Sequence, residues 1–310
     1  VFPLFFYHLL ELVYSSYDIF VLSSTGIGDP GSVVLLTQIK SLISTIGASI
    51  ITGFFIYINI CLGRKQKDKV KSLINQLVYI LVWVSFICVI LFIGAGRTFL
   101  QILQTPSEII DSSYGYYVVT IISLIITWFN TIYTSMLNAT GKAKKTMFVN
   151  VVMICVKIVL STAVVFSGLF VNVTSTHLAV CTLIAQFVIF IPSLFMYFGR
   201  KSEYRVFTEK FNFDIIKNPI KSALPLMGGS IVFNIVKVII NSMVANNYGS
   251  FVLTGTGFLS IFLGIGIKFV TATKTALSNI SGQAYGRGEL NRSRQTDKIA
   301  VISSLIVCLA

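Results

Sequence analysis

Residues 33–62 read VVLLTQIKSLISTIGASIITGFFIYINICL, and residues 63–72, which follow, read GRKQKDKVKS. The first stretch holds a single charged side chain, Lys40; the second holds five basic ones. About 20 apolar residues, rising roughly 1.5 Å each as a helix, cross the roughly 30 Å hydrocarbon layer of a bilayer. Residues 33–62 are therefore long enough to span, and the basic cluster marks where the chain returns to water. A strand does not fit, because an open edge in lipid leaves amide groups unpaired and a barrel would show shorter, alternating runs.

The same alternation continues in both directions. Apolar segments cover 1–22, 33–62, 74–96, 114–139, 146–170, 176–199, 220–246 and 251–285, and a ninth begins near Lys298. With 55% hydrophobic and 11% charged residues, the chain has too few polar groups to build a water-facing shell. Its mean hydropathy of +0.85 agrees. The expected fold is all-α, a polytopic transmembrane helix bundle. Residue 1 already lies in a membrane segment and the last segment stops part-way across, so the chain reads as a fragment of something longer. The five cysteines, Cys61, Cys88, Cys155, Cys181 and Cys308, sit in apolar runs without paired spacing and read as core residues.

Charge sets the expected topology. The loops at 63–72, 141–145, 200–221 and 286–298 carry 18 of the 24 Lys and Arg. The intervening loops at 23–32, 97–113, 168–175 and 247–250 carry only Arg97. By the positive-inside rule the basic set is cytoplasmic. The net charge of +13 is then mostly loop charge facing anionic lipid, with no reason to invoke nucleic acid.

The stretch 200–219, with Phe207, Phe211 and Phe213 among charges, reads as an amphipathic connector on the cytoplasmic surface. It divides a six-helix lobe, 1–199, from the start of a second lobe, 220–310, which holds segments seven, eight and part of nine. A weak internal repeat supports the division. Asp18 and Asn241, Gly26 and Gly249, and Gly63-Arg64 and Gly286-Arg287 are all separated by 223 positions, and Pro3 and Pro225 by one fewer. Such symmetry is common in secondary transporters.

Seven ionised side chains lie within the apolar segments: Glu11, Asp18, Lys40, Lys157, Lys237, Lys268 and Lys274. Each costs about 2.5–3.5 kcal/mol or more at mid-bilayer, so they are expected to face the interior or a wet cavity. Their neighbours form stripes at steps of three and four: His8, Glu11, Ser15 and Asp18 on the first segment; Thr120, Ser123, Thr127, Asn130, Thr134 and Asn138 on the fourth. The fifth adds Asn150, Lys157 and Ser161, the seventh Ser230, Asn234, Lys237 and Asn241, and the eighth Lys268, Thr271, Thr275 and Ser278. Hydroxyls and amides of this kind also join helices in lipid without further function. The acids differ, because a carboxylate in a low-dielectric site changes protonation with small changes around it. Glu11 and Asp18 are thus the candidate ion-coupling residues, with His8 one turn from Glu11. Asn130, Lys157, Asn234, Lys237, Asn241 and Lys268 are the candidate cavity residues. Five lysines face only two acids, so three must snorkel, as Lys40 and Lys274 are placed to do, lose their proton, or line a cavity that attracts negative groups. The long eighth segment needs tilt, a bend near Gly264 and Gly266, or extension into the cytoplasm.

Four stretches together resemble the multidrug and toxin extrusion (MATE) transporters, within the superfamily that includes polysaccharide and lipid-linked oligosaccharide flippases. They are Pro3 to Gly26 around Asp18; Leu62-Gly63-Arg64 with its repeat Tyr285-Gly286-Arg287-Gly288-Glu289; Leu137-Asn138-Ala139-Thr140-Gly141-Lys142-Ala143-Lys144-Lys145-Thr146-Met147; and Leu103-Gln104-Thr105-Pro106-Ser107-Glu108. The resemblance implies a two-lobed fold of twelve helices, of which the second lobe is incomplete here. It also implies a secondary antiporter expelling organic compounds in exchange for protons or sodium ions, through a cavity lined by helices one, two, seven and eight. Asp18 stands where many members place an ion-coupling acid. Lys157 and Ser161 depart from the pattern, which usually has Asn and often an acid there; a lysine repels a cationic drug or replaces a bound cation.

The implied partners are a small organic substrate and the bilayer, for a monomer powered by a proton or sodium gradient with no cofactor. The intramembrane lysines motivate an alternative, a flippase for an anionic lipid-linked substrate. An enzyme would need a nucleophile, metal cluster or acid/base set at a membrane face; the two histidines, His8 and His177, are far apart and no paired metal-ligand motif occurs. A structural or receptor role would show no solute flux.

Overall fold

The computed structural model describes residues 2–25, 30–102, 105, 107–166, 173–200 and 202–309. Gly26, Leu103, Gln104, Pro106 and most of the loop at 168–175 fall outside the described residues. The helices are α1 Phe2–Thr25, α2 Pro30–Gly63, α3 Lys67–Val89, α4 Gly96–Ile102, α5 Ser107–Ala139, α6 Ala143–Phe166 and α7 Ser175–Phe198. A helical run Phe213–Gly286 is broken at Gly249, with φ 78° and ψ 174°, a conformation that glycine reaches without a Cβ penalty. Its halves, Phe213–Gly249 and Phe251–Gly286, are α8 and α9, and Leu290–Leu309 is α10. The break therefore falls at the turn between segments seven and eight. α9 continues through Gly264 and Gly266 without a second one.

Among the described residues, seven helices are long and apolar enough to cross a membrane: α2, α3, α5, α6, α7, α8 and α9. α1 has the length, at 24 residues, but carries His8, Glu11 and Asp18. A polytopic transmembrane bundle is the fold. α3 passes into a wider π-helical turn, Ile90–Gly94, which frees backbone carbonyls. Tyr114 and Tyr117 of α5 donate to two of them, Ile93 O at 3.2 Å and Phe92 O at 2.7 Å.

The main core lies where α2 meets α1, α3, α5 and α8, around Ile39, Ile43, Phe54, Ile58, Ile74 and Trp128. Close packing explains part of the glycine content. A Cβ on Gly47 would strike the Trp128 indole, one on Gly53 the Pro219 carbonyl, and one on Gly264 the Leu12 side chain, whereas Gly228, Gly229 and Gly266 face open space.

The four basic loops gather at one end of the bundle. Lys67 Nζ lies 3.0 Å from Glu203 Oε1, the Gln283 side-chain amide donates to Ala139 O at 2.7 Å, and Gly63 packs on the Gln283 backbone. At the opposite end Arg97 pairs with Asp111 at 3.1 Å and stacks over Tyr114.

Between α7 and α8 the chain from Ser202 to Asn212 is irregular, and α8 then starts at Phe213. Two buried amides of α3 hold it. Asn75 donates to Glu209 O at 3.0 Å and accepts from the Phe207 amide; Gln76 donates to Lys210 O at 2.9 Å and accepts from the Asn212 amide at 3.1 Å. Phe207 and Phe211 pack edge-on against Tyr79, one turn along α3. Asn75→Ala removes two of these bonds, to the Glu209 carbonyl and the Phe207 amide, a loss of about 0.5–1.5 kcal/mol each. Limited trypsin digestion at Arg205 and Lys210 should accelerate at least several-fold in this variant, and an unchanged rate would show that the amide does not anchor the segment.

Candidate functional site

A cavity of about 480 Å³ opens between α1, α2, α5, α6 and α7 on one side and α8 and α9 on the other. Its polar wall follows from the stripes. The buried residues of α6 recur at helical spacing, Thr146, Asn150, Met153, Lys157 and Ser161, so α6 turns one edge inward and the rest to the surroundings.

At the centre of that wall Lys157 Nζ meets Asp18 Oδ1 at 3.0 Å, with the two side chains 1% and 6% exposed. The same ammonium donates to Tyr14 O at 2.6 Å and sits 4.2 Å from the centre of the Tyr14 ring. Tyr14 is itself fixed by donating its hydroxyl to Thr182 O at 3.2 Å. One lysine thus ties α6 to α1 through a charge pair, a hydrogen bond and a cation–π contact, which offset the desolvation of both charges.

A second charged group bridges the two sides of the cavity. Glu11 Oε2 on α1 accepts from Lys268 Nζ on α9 at 2.9 Å and lies 3.1 Å from His8 Nδ1. The internal repeat now acquires a physical meaning. Subtracting the offset of 223 from Asn234 gives 11, and adding it to Thr45 gives 268; Asn234 Nδ2 donates to Thr45 Oγ1 at 3.0 Å. The link from α8 to α2 is the polar counterpart of the ion pair from α1 to α9. At the same offset, Val34 faces Gly257 and Asn59 faces Gly282 where α2 and α9 run side by side.

Six of the sequence candidates line the cavity: Asp18, Glu11, Asn130, Lys157, Lys237 and Lys268. Asn130 donates to Gln186 O at 3.1 Å, and Lys237 lies 5.7 Å from the centre of the Phe233 ring. Asn234 and Asn241 are not among the residues that line the cavity. Asn234 is turned toward α2 by its bonds to Thr45 and to Ser230 O, and of that stripe Lys237 reaches the cavity. The lower stripe of α9 is also structural: Thr271 and Thr275 donate to carbonyls one turn back. The lining extends beyond helices one, two, seven and eight to α5, α6 and α7. Tyr14, Thr182 and Gln186 were absent from the sequence candidates. Gln186 is the strongest polar side chain in 178–198, a signal for an inward face of α7 that was there to be read.

Lys40, which was placed to snorkel, instead lines the cavity, while Lys274 is exposed. Among the described residues, the cavity therefore holds four lysines, Lys40, Lys157, Lys237 and Lys268, against the carboxylates of Glu11 and Asp18.

A MatE family profile matches residues 3–163 and 225–310. No curated protein matches the chain by sequence. Among solved structures, a multidrug resistance MATE family transporter of the MOP superfamily, in an outward-facing conformation, superposes with a TM-score of 0.84 at 17% identity, over 99% of this chain and 68% of its own. A MOP superfamily transporter from Pyrococcus furiosus, described as having a binding pocket of reverse polarity, gives the same TM-score, identity and coverage. A MATE structure in a bent conformation gives 0.79 at 17% identity, again over 99% and 68%. At this identity the superpositions establish the fold, and the profile match establishes the family. The chain belongs to the MatE family of membrane transporters.

Proposed function

We propose that the protein is a secondary active antiporter that exports organic compounds in exchange for protons or sodium ions, by alternating access of two lobes. The observation that carries this reading is the buried Asp18–Lys157 pair in the wall of a cavity that both lobes line. Between the two ions, the geometry favours the proton. A sodium ion at Asp18 would have to share the carboxylate with an ammonium already 3.0 Å away, and their repulsion in a low-dielectric wall is large. Protonation removes the carboxylate charge without adding an ion. Lys157 is then held only by Tyr14, and the α1–α6 contact is free to repack.

The test is flux in proteoliposomes containing the complete protein. A pH gradient should drive organic-solute export, and a sodium gradient at equal pH should not. Sodium-driven export with no response to pH would reverse the ion assignment, and absence of solute flux under either gradient would remove the antiport reading.

A flippase for an anionic lipid-linked substrate is the second reading, favoured by the lysine excess in the cavity. Among the described residues that line the cavity, four lysines stand against two carboxylates. Replacement of Lys157, Lys237 and Lys268 should then abolish transfer of such a lipid between leaflets and leave drug tolerance unchanged.

A further inference from the structure

We propose that Lys40 and Lys237 form an anion-recognition subsite, which takes the carboxylate or phosphate of an organic substrate between the two lobes. The inference rests on the reading of the cavity as a substrate cavity and adds the class of group that it binds.

The register places the two lysines at similar height along the cavity. α2 runs toward the basic end and α8 away from it, and the Asn234–Thr45 bond of 3.0 Å fixes their relative height. Lys237 lies about one turn beyond Asn234 on α8, and Ser41 and Lys40 lie about one turn beyond Thr45 on α2, both in the direction away from the basic end. All three side chains line the cavity.

Neither ammonium has a carboxylate to meet. The two acids of the cavity are taken, Asp18 by Lys157 at 3.0 Å and Glu11 by Lys268 at 2.9 Å, and among the described residues no carboxylate lies within ion-pair distance of Lys40 or Lys237. Two unneutralised ammonium groups facing one space within a membrane repel each other and are poorly solvated. A bound anion offsets both costs at once, and two charge-assisted hydrogen bonds, one from each lobe, would hold it. Part of the lining suits the apolar body of such a ligand: Leu12, Ile19, Val34, Ile261 and Ile267 face the space beside hydroxyl and amide groups. At about 480 Å³ it accommodates a small organic anion. Recognition from both lobes also makes the ligand a bridge whose binding depends on their approach.

The experiment is equilibrium binding to the full-length protein in phosphatidylcholine nanodiscs, with three probes of similar shape: phenyl phosphate, phenethyl alcohol and phenethylamine. Phenyl phosphate should bind at least about tenfold more tightly than phenethylamine, the equivalent of one charge-assisted contact. Lys40→Gln and Lys237→Gln should each weaken phenyl phosphate about tenfold or more while phenethyl alcohol binding stays constant, which shows an intact cavity. Lys40→Arg and Lys237→Arg should retain most of the affinity. Preference for phenethylamine, or Gln variants that bind phenyl phosphate as the native protein does, would overturn the subsite. Phosphatidic acid in the nanodisc then identifies the source of the anion: competition with phenyl phosphate shows a lipid headgroup, and its absence a soluble anion, with the subsite upheld in either case. A protein that binds phenyl phosphate through these lysines but moves no solute would refute antiport and leave the subsite standing.

Discussion

Asp18→Asn should reduce pH-gradient-driven export to the background of empty liposomes, because the substitution removes the carboxylate buried in the cavity wall. It also separates two roles that the Asp18–Lys157 pair combines. As structure, the pair joins α1 to α6 at 3.0 Å with both side chains nearly inaccessible. Breaking such a pair from one side costs about 3–5 kcal/mol, since the remaining charge stays buried without its partner. Lys157→Met should therefore lower the unfolding temperature in detergent and the yield of folded protein. Asp18→Asn should be somewhat milder, because Lys157 keeps the Tyr14 carbonyl at 2.6 Å and the ring face. The double variant Asp18→Asn/Lys157→Met removes both charges and should recover most of the stability. Coupling should not recover with it. A double variant that is stable but still uncoupled shows that the carboxylate moves the proton, whereas Asp18→Asn with native pH-driven flux would show that the pair only cements the two helices.

The spans were legible in the sequence because lipid imposes a single requirement, apolar side chains over the hydrocarbon thickness. Helix ends were less so, because the same requirement lapses at the headgroups. α8 starts at Phe213 rather than 220, and α10 starts at Leu290 rather than near Lys298, since helices continue into water on residues such as Lys217 and Arg292 that hydropathy reads as loop. At the site, the acids and lysines announced themselves by their cost in an apolar run. Their partners did not. Asp18 meets Lys157 across 139 positions and Glu11 meets Lys268 across 257, and nothing local specifies which lysine serves which acid. Asn234 and Asn241 shared the period of Lys237, yet a helix face is wide enough that one member reaches a cavity while another bonds a neighbouring helix. The repeat behaved in the opposite way. As sequence it was a handful of glycines, prolines and polar residues, and of these Gly63 and Gly286 meet where α2 and α9 touch.

That contact gives the second large effect, at Gly63 and Gly286. The two glycines end α2 and α9 at the basic end, and a Cβ on Gly286 would lie 2.2 Å from Ile60 O and 3.2 Å from Gly63 Cα. The reciprocal Cβ on Gly63 would lie 2.2 Å from Gln283 O. Neither obstacle is a flexible side chain that can swing aside, so the backbones must separate. Gly286 has no positive φ, hence an alanine there is strained by lack of space and not by its own conformation. Separation would also stretch the Asn59–Asn279 bond of 3.1 Å and the Gln283–Ala139 bond of 2.7 Å, which close the same end. Gly286→Ala should therefore cost about 1–3 kcal/mol, the usual range for overpacking. Gly266→Ala is the matched control on the same helix: nothing lies within 4 Å of its added methyl, and helix propensity alone predicts a gain of up to about 1 kcal/mol. The two substitutions should thus shift the unfolding temperature in opposite directions. If the crossing also seals the cavity, Gly286→Ala should speed the labelling of an Asn279→Cys variant by a membrane-impermeant thiol reagent applied from the basic side, while Gly266→Ala should leave it unchanged. Equal labelling in both backgrounds would mean that the glycines pack two helices but do not form the closed end of the transport path.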